Sequence, residues 1–293
     1  TEGTAAVGPE DEGPTTDRNG TWVDTVVVVE EPNADAGVER LLAGDIDIYA
    51  FPISSAGTYE KIVGSEELKY AESYGSFNEL TFNPSACADT TKLNPFAAPR
   101  IREAMNYLVD RDYIVDEIMG GLGTPRYVPI NTASADRGYL AAEIRAIEAK
   151  YAHDAAKAEQ MIAEEMENLG ATKEDGKWMY NGSQVELLAL IRTEDERKQI
   201  GDYVGGLLED LGFAVVRDYK TGTEAAPIWH QAEPTECQFS FYTGGWVSTA
   251  ISRDAGSNFN FFYTPKGLPR PLWAAYTPVQ AFADLAQQLN DND

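Results

Sequence analysis

Residues Val185 to Val216 read VELLALIRTEDERKQIGDYVGGLLEDLGFAVV, and this stretch decides the fold class because it alternates between two periodicities. Its first seven residues are apolar at all but one position, which is typical of a buried strand. Thr193 and Glu196 have the spacing of a capping box and predict the beginning of a helix. That helix ends at Gly212, and the apolar residues that follow predict a return to a strand.

Strand patterns also occur on both sides of this stretch. Trp178 to Tyr180 is followed by Asn181-Gly182, a pair that favours a two-residue hairpin turn. Residues 77–82 and 239–246 give two further predicted strands, the second of which ends in Gly244-Gly245-Trp246. Strands of this kind, separated by helices, predict an α/β fold with a mixed sheet.

The N-terminal part of the sequence predicts a separate βαβ unit. Val23 and the run Val26 to Val29 are β-branched and nearly continuous, which suits a strand covered on both faces. A short helix follows and is closed by Gly44, and alternating residues from Ile46 to Ala50 predict the second strand. Such a unit spans about 30 residues and crosses over in the right-handed sense.

Further helices are predicted by apolar spacing and by their terminating residues. One begins at Pro99, a second ends at Gly120-Gly121, and a third runs from Lys157 to Leu169. A last helix is expected to be capped by residues 277–280 and to run through Leu289. The Gly120-Gly121 sequence lacks the lysine of a phosphate-binding loop, so a helix-terminating turn is expected there.

Charge excludes two classes of partner. The 293 residues include 23 Lys and Arg against 48 Asp and Glu, a formal net charge of −25. A polyanion would be repelled, so neither nucleic acid nor an anionic membrane surface is expected as a partner. Apolar runs are too short to span a bilayer, and residues 1–21, rich in Gly, Pro, Thr and acids, predict a flexible tether.

No catalytic or metal-ligating constellation stands out. The two histidines, His153 and His230, lie in different segments and have no metal-ligand spacing with cysteine. Carboxylates are so abundant that a pair resembling a glycosidase acid and base is expected by chance. The sequence therefore predicts neither a metal site nor a cofactor, and an enzyme is the weaker interpretation.

The two cysteines, Cys87 and Cys237, are candidates for a disulfide. If the strand at 77–83 runs antiparallel to that at 238–246, with Phe77 opposite Val247, the same register places the two thiols opposite each other. An extracytoplasmic disulfide is one interpretation. The other is two unrelated buried thiols, since cysteine often behaves as a small hydrophobic residue.

Aromatic residues concentrate at the ends of the predicted strands. This group consists of Tyr49, Phe51, Tyr74, Phe77, Tyr242 and Trp246. Open α/β sheets bind ligands at such edges, and Gly244 and Gly245 would let a ligand approach the backbone closely. Core packing is the alternative explanation, because aromatic rings also close the ends of a sheet.

Several stretches together resemble the family 5 extracellular solute-binding proteins, the peptide-, dipeptide- and nickel-binding receptors of ABC importers. The matching stretches are 38–48, 77–83, 94–120, 158–170, 197–216 and 241–246, in the order of the family. The segment Phe96 to Gly120 is the most specific. The resemblance implies a lobe of the type II periplasmic-binding-protein fold over residues 22–293, acting outside the cytoplasm and membrane-tethered in the full-length protein.

The resemblance also implies candidate ligand-binding residues. Tyr74, Trp246 and Thr249 would face the cleft, with Phe77 at the same strand end. Phe51 and Ser54 would lie near the hinge or cleft. Oligopeptide-binding relatives carry an aspartate three residues after the tryptophan, where this sequence has the neutral Thr249, and Asp254 could substitute for it. The ligand class thus stays open among peptides, sugars and metal chelates.

The leading interpretation is a monomeric, passive receptor lobe that binds a small molecule or peptide and delivers it to an ABC permease in the membrane. Family members begin with a first lobe that is not matched here, so we expect a second lobe with half of a ligand site and weak or undetectable affinity by itself. The alternative is a protein-interaction or sensor module that uses the same lobe without transport. A third hypothesis is a hydrolase that acts on glycans or peptides through carboxylates.

Overall fold

The computed structural model describes residues 23–72, 75–246 and 255–292. The chain divides into two compact units, Thr1–Ser73 and Tyr74–Asp293. The predicted tether, residues 1–21, lies outside the described residues. The boundary between the units falls inside the stretch that the sequence predicts as one lobe.

The first unit is built on two helices, α1 (Ala34–Ala43) and α2 (Ala56–Val63). The side chain of Asn33 caps α1 by accepting a 2.9 Å hydrogen bond from the N–H of Ala36. Gly44 closes the helix with a positive φ of 75°, as its position in the sequence predicts. The Thr58 hydroxyl of α2 donates a 2.8 Å hydrogen bond to Asp35, which joins the two helices.

The βαβ unit predicted for this region is wrong, because its two strands do not form. Residues 26–29 and 46–50 take part in no described strand pairing. The side chains of Val26 to Val29 are between 51% and 91% exposed, and that of Ile48 is 78% exposed. β-Branched residues favour an extended backbone, but a strand also requires a neighbour that supplies ladder hydrogen bonds. Only the helix of the predicted unit is confirmed.

The second unit carries every described strand and the remaining helices. Its strands are β1 (Phe77–Phe82), β2 (Thr172–Glu174), β3 (Lys177–Tyr180), β4 (Ser183–Gln184), β5 (Glu186–Arg192), β6 (Ala214–Lys220) and β7 (Phe241–Trp246). Its helices are α3 (Pro99–Leu108), α4 (Arg111–Tyr113), α5 (Ala135–Tyr139), α6 (Ala141–Lys150), α7 (Ala155–Asn168), α8 (Arg197–Asp210), α9 (Gly222–Ala226), α10 (Ala255–Tyr263), α11 (Pro271–Ala274) and α12 (Gln280–Asn290).

The main sheet has the strand order β1-β7-β5-β6 and is mixed, as predicted. Strand β5 is parallel to both β6 and β7, whereas β1 is antiparallel to β7. Helix α8 connects the parallel pair β5 and β6, which confirms the strand–helix–strand interpretation of residues 185–216. The α/β class with helices flanking a mixed sheet is therefore confirmed.

Side chains from alternate positions of the central strands enter two separate cores, one on each face of the sheet. Ala189 and Ile191 of β5 and Phe241 of β7 join the larger core, beneath helices α3, α7 and α8. Leu190 and Tyr242 point to the opposite face and join a smaller core that includes Trp273. This period-2 alternation assigns each strand residue to one face.

The predicted hairpin is confirmed, but the capping box is wrong. Asn181 and Gly182 adopt φ values of 50° and 80° in the turn between β3 and β4, which belong to a small second sheet. Helix α8 begins at Arg197, without the reciprocal bonds of a Thr193–Glu196 box. Asp195 instead accepts a hydrogen bond from the N–H of Arg197. Val279, rather than a polar cap, precedes α12.

The predicted register of β1 against β7 is off by one residue, although a disulfide joins Cys87 to Cys237. Phe77 lies opposite Trp246 rather than Val247. The two cysteines lie beyond the strands, and Cys237 has a positive φ of 51° after a 3-10 turn at 234–236. This turn takes the chain out of the ladder, and the Cα atoms of the two bonded cysteines lie 5.5 Å apart.

Candidate functional site

The carboxyl ends of β5 and β7 and the beginning of β1 meet at one edge of the main sheet. Glu79 pairs with Gly244, and Phe77 pairs with Trp246, so these four positions lie on one face. Arg192 ends β5 on the same face, two residues after Leu190. In open α/β sheets, ligands bind at the carboxyl ends of the parallel strands.

A cavity of about 240 Å³ opens at this edge. It is formed by strand ends and by the segment that follows α9, and its lining residues are Glu79, Arg192, Gly222, Ala226, Trp229, His230, Tyr242, Gly244, Gly245 and Trp246. The volume lies below the range typical of pockets for drug-sized ligands. The cavity therefore suits a small ligand or one chemical group of a larger ligand.

Glu79 is the acidic member of the cavity wall. Its Oε1 accepts a 2.8 Å hydrogen bond from Nε1 of Trp246 and a 2.9 Å hydrogen bond from the hydroxyl of Thr81. Burial raises the pKa of the Glu79 carboxyl, and these two hydrogen bonds and the charge of Arg126 offset only part of that effect. The carboxyl is thus held in a position where a nearby positive charge would favour its ionised form.

Three aromatic rings give the cavity its apolar surface. Trp229 stacks on Tyr242 with ring centroids 5.0 Å apart and an interplanar angle of 18°. Trp246 meets Trp229 nearly edge to face, at 6.4 Å and 82°. Behind Trp246, Phe262 packs at 5.1 Å and Trp273 at 6.3 Å, so the indole has little freedom to rotate. Large rings held in this way offer preformed binding surface.

The basic member of the wall, Arg192, is engaged by a carboxylate. Its Nε and Nη2 donate to the two oxygens of Glu194 at 2.7 Å and 3.0 Å. Burial by itself would raise the pKa of Glu194, but hydrogen bonds from Arg192 and from the N–H of Gly222 hold it below its usual value. Arg192 and Glu194 thus form an ion pair that contributes little net charge to the cavity.

His230 also lines the cavity, beside Trp229. Its Nδ1 is buried and has no hydrogen-bond partner on another side chain or backbone group of the described residues. Burial, and then the positive charge of Arg270, lowers the pKa of His230. The imidazole is therefore neutral at physiological pH and is available to a ligand as a donor or acceptor.

The glycines of β7 make room for protein atoms. A β-carbon at Gly245 would lie 2.7 Å from Nη1 of Arg197, and one at Gly244 would lie 3.0 Å from Oγ1 of Thr81. Both glycines line the cavity as well. Their small size therefore serves the packing of neighbouring side chains in addition to any approach by a ligand.

The structure brings together only part of the predicted site. Trp246 lines the cavity, and Phe77 lies beside it on the same face, with the guanidinium of Arg126 4.1 Å from its ring centroid. Phe51 and Ser54 belong to the first unit, in the segment between α1 and α2, where Phe51 is 49% exposed. Tyr74, Thr249 and Asp254 lie outside the described residues.

The sequence does not identify six of the lining residues, and four of these, Glu79, Arg192, Trp229 and His230, carry a charged group or a ring. Alternation along β1 from Phe77 carries a signal for Glu79, because residues two apart lie on the same face. The end of the predicted strand at 185–191 carries a weaker signal for Arg192. Trp229 and His230 lie in an irregular helical turn, Pro227–Gln231, to which no periodicity points.

Within 23–72, 75–246 and 255–292, no group of three or more His, Cys, Asp or Glu side chains could hold a metal ion. In the same residues, no helix has the length and hydropathy needed to cross a bilayer.

Comparison with known proteins gives a family match over most of the chain. Residues 17–268 match the model described as bacterial extracellular solute-binding proteins, family 5 middle. The oligopeptide-binding protein AppA of Bacillus subtilis is 27% identical over 254 residues, which make up 84% of this chain and 42% of that protein. The chain thus spans less than half the length of this relative.

Solved structures agree in fold. AppA of Bacillus subtilis with a bound nonapeptide superposes with a TM-score of 0.64 at 19% identity, covering 89% of this chain and 47% of that one. NikZ of Campylobacter jejuni, in complex with Ni(L-His), gives 0.64 at 16% identity, with coverages of 89% and 48%. A Thermotoga maritima oligopeptide-binding protein with bound mannohexaose gives 0.62 at 15% identity, also at 89% and 48%. These matches confirm a periplasmic-binding-protein-like fold.

Proposed function

The chain belongs to the family 5 bacterial extracellular solute-binding proteins, and from this premise we propose that it forms one side of the ligand cleft of an ABC-importer receptor. The solute, a small molecule or peptide, is bound outside the cytoplasm and is delivered to a membrane permease. The protein acts as a passive receptor and performs no chemical step on the solute.

One observation supports this proposal above the others, namely the cavity at the carboxyl ends of β5 and β7. Its walls combine three aromatic rings with a carboxyl, a neutral imidazole and an ion-paired guanidinium. Apolar surface with a few polar groups that fix orientation is the usual composition of a small-molecule site. The cavity lies wholly within the second unit, so this unit supplies its own set of contacts.

The size of the cavity supports a ligand site of which this chain supplies only one part. The relatives have bound a nonapeptide, a nickel–histidine complex and mannohexaose, and two of these ligands are far larger than a cavity of about 240 Å³. The chain also covers less than half of each of these proteins. We infer that the cavity holds one group of the solute, and that hinge closure of a two-lobed receptor covers the rest.

Binding by the isolated chain tests the proposal. Titration with a nonapeptide mixture, with nickel–histidine and with mannohexaose, followed by calorimetry and tryptophan fluorescence, is expected to show saturable binding of at least one solute, with a dissociation constant far above nanomolar. Trp229→Ala is expected to abolish it because the ring forms a cavity wall. Tyr139→Ala, at a residue that is 86% exposed, is the matched control.

Three outcomes are distinguishable. Weak binding that Trp229→Ala removes supports the half-site receptor. Nanomolar binding by this chain would contradict the half-site and show that one lobe is sufficient. If none of the solutes binds even at millimolar concentrations, where half of a site is still expected to be occupied, the receptor proposal fails and a protein-interaction or sensor module takes its place.

A further inference from the structure

We propose that the cavity at the edge of the main sheet selects an organic cation, with the Glu79 carboxylate as its counter-charge and the rings of Trp229, Tyr242 and Trp246 as its apolar wall. This inference rests on the proposed receptor function and specifies the class of chemical group that the cavity takes. The group is an ammonium ion carried by a small molecule or by part of a larger solute.

The hydrogen bonding of Glu79 leaves one of its two oxygens open to contact with a cation. Both of its hydrogen bonds from described residues, those from Trp246 and Thr81, end on Oε1. Neither involves Oε2, and Arg126 is the described cation whose charge lowers the pKa of this carboxyl. A carboxylate accepts about four hydrogen bonds, so most of its capacity remains unused.

Aromatic rings line the same cavity as this carboxyl. The indole of Trp246 is hydrogen-bonded to it, and the Trp229 ring lies 6.4 Å from that indole, centroid to centroid. The indole N–H points at the carboxyl, so the carboxyl lies at the edge of that ring. Rings that exclude water from one side of a carboxylate strengthen its attraction for a positive charge, which favours an ammonium group over a neutral group of the same shape.

The other ionisable groups of the cavity wall offer no free positive charge that would attract an anionic ligand. Arg192 is paired with both oxygens of Glu194. His230 is neutral, because burial and Arg270 lower its pKa. An anionic ligand would therefore meet no unpaired cation among the described lining residues.

Arg126 is the described cation whose charge acts on Glu79, and its guanidinium is bound by other groups. Its guanidinium donates to the backbone carbonyls of Gly75, Val128 and Pro129 and lies over the ring of Phe77. It partly offsets the negative charge of Glu79 without forming an ion pair with it. The net charge of −25 adds a long-range field that draws cations toward the protein.

Choline and its uncharged isostere, in which carbon replaces the nitrogen, test the proposal directly. The two compounds have the same shape, so a difference in their affinity reports the charge alone. We expect choline to bind this chain at least about tenfold more tightly, as judged by calorimetry and tryptophan fluorescence. Equal affinities would overturn the inference.

Glu79→Gln tests the residue, since it keeps the shape and the hydrogen-bond acceptor and removes the charge. We expect the variant to bind choline about tenfold more weakly, because the attraction between opposite charges is lost, and to bind the isostere unchanged. Glu186→Gln is the matched control, because Glu186 is an exposed glutamate at the opposite end of β5 in the same sheet. Unchanged choline binding by folded Glu79→Gln would overturn the assignment.

A pH titration of the unmodified chain covers the case in which Glu79→Gln fails to fold. Choline affinity should increase as pH rises and Glu79 ionises, whereas that of the isostere should stay level. The groups that face Glu79 are Arg126, Tyr263, Arg192 and His230. Protonated His230 would act in the same direction, so His230→Gln is titrated in parallel, and loss of the entire slope in that variant would overturn the role of Glu79.

Failure of this inference and failure of the receptor function are separable. If choline does not bind while a peptide, nickel–histidine or mannohexaose does, the cation selectivity is wrong and the receptor function stands. If choline alone binds, both proposals are supported, because a solute is bound in the cavity.

Discussion

The indole Nε1 of Trp246, at the end of β7, donates a 2.8 Å hydrogen bond to Oε1 of Glu79 in β1. These residues are not direct partners, because Glu79 pairs with Gly244 and Trp246 pairs with Phe77. Gly244 has no side chain, so the indole reaches diagonally across the position it leaves open. The hydrogen bond therefore links an antiparallel strand pair at the edge where the cavity opens.

Trp246→Phe is expected to lower the free energy of unfolding by about 1–3 kcal/mol, because a partly buried carboxyl loses one of the two donors that the described residues give it. Urea unfolding, followed by circular dichroism, measures the effect. Tyr139→Phe, at an exposed ring, is the control and should change stability by less than about 0.5 kcal/mol. A Trp246→Phe protein as stable as the parent would mean that the hydrogen bond makes no net contribution.

Removal of the disulfide should destabilise the second unit strongly. Cys87 and Cys237 are 150 residues apart in sequence, so the bond closes a long loop and restricts the unfolded chain. Replacing both cysteines by serine is expected to lower the free energy of unfolding by roughly 2–5 kcal/mol.

Urea titrations with and without dithiothreitol measure this contribution independently. The reductant should shift the unfolding midpoint of the parent toward that of the double variant and should leave the double variant unchanged. A parent whose midpoint does not respond to full reduction of the bond would contradict the prediction.

The elements that the sequence predicts correctly are those with long periodic patterns and clear terminators. Helix α8 ends near Gly212, and the hairpin turn uses Asn181 and Gly182, because these residues accept positive φ at little steric cost. Such signals are local, so they are visible without knowledge of the rest of the chain.

Long-range relationships were harder to predict. Val26 to Val29 have strand composition, but pairing depends on a neighbour, and the local sequence carries no information about one. The predicted register of β1 was wrong by one residue, because it was extended through Cys237 as if the strand continued there. A 3-10 turn precedes Cys237 and changes the number of residues between the cysteine and the strand, and the strand pattern does not show this turn.

The sequence predicts only those site residues that lie at the ends of recognisable strands. Trp246 follows two glycines at the end of a recognisable strand, whereas Trp229 reaches the cavity from an irregular turn between α9 and β7. Glu79 was missed because one acid among 48 Asp and Glu carries no distinguishing signal until its strand partner is known.

The Asp195–Arg197 pair should make stability depend on pH in the acid range. Burial by itself would raise the pKa of Asp195, but hydrogen bonds and charge from the buried Arg197 hold it below its usual value. The stabilisation is therefore complete above the unfolded pKa of about 3.9 and is lost as pH falls through the lowered folded value.

Urea unfolding of the parent and of Asp195→Asn, from about pH 6 down to about pH 3, measures this contribution. The stability difference between the two proteins should be largest at the higher pH and should shrink on acidification. Glu186→Gln, which removes an exposed carboxylate, controls for general charge effects. A difference that stays constant over this range would show that the pair does not shift the titration of Asp195.

Two glycines of α8 should respond to alanine in opposite directions. A β-carbon at Gly201 would lie 2.7 Å from Cγ1 of Ile191, a fully buried side chain of β5. Because the core there is closely packed, Gly201→Ala should lower the free energy of unfolding by about 1–3 kcal/mol. At Gly206 a β-carbon would meet nothing within 4 Å, so Gly206→Ala should raise it by about 0.5–1 kcal/mol through helix propensity.

The two substitutions are the same chemical change in one helix, so their difference isolates the contact with β5. Urea unfolding with a common slope gives both values on one scale. If both alanines stabilise the protein, α8 does not approach β5 as closely as Gly201 and Ile191 indicate. If both destabilise it, the space beside Gly206 is filled in solution, and the helix packs more tightly than its open side suggests.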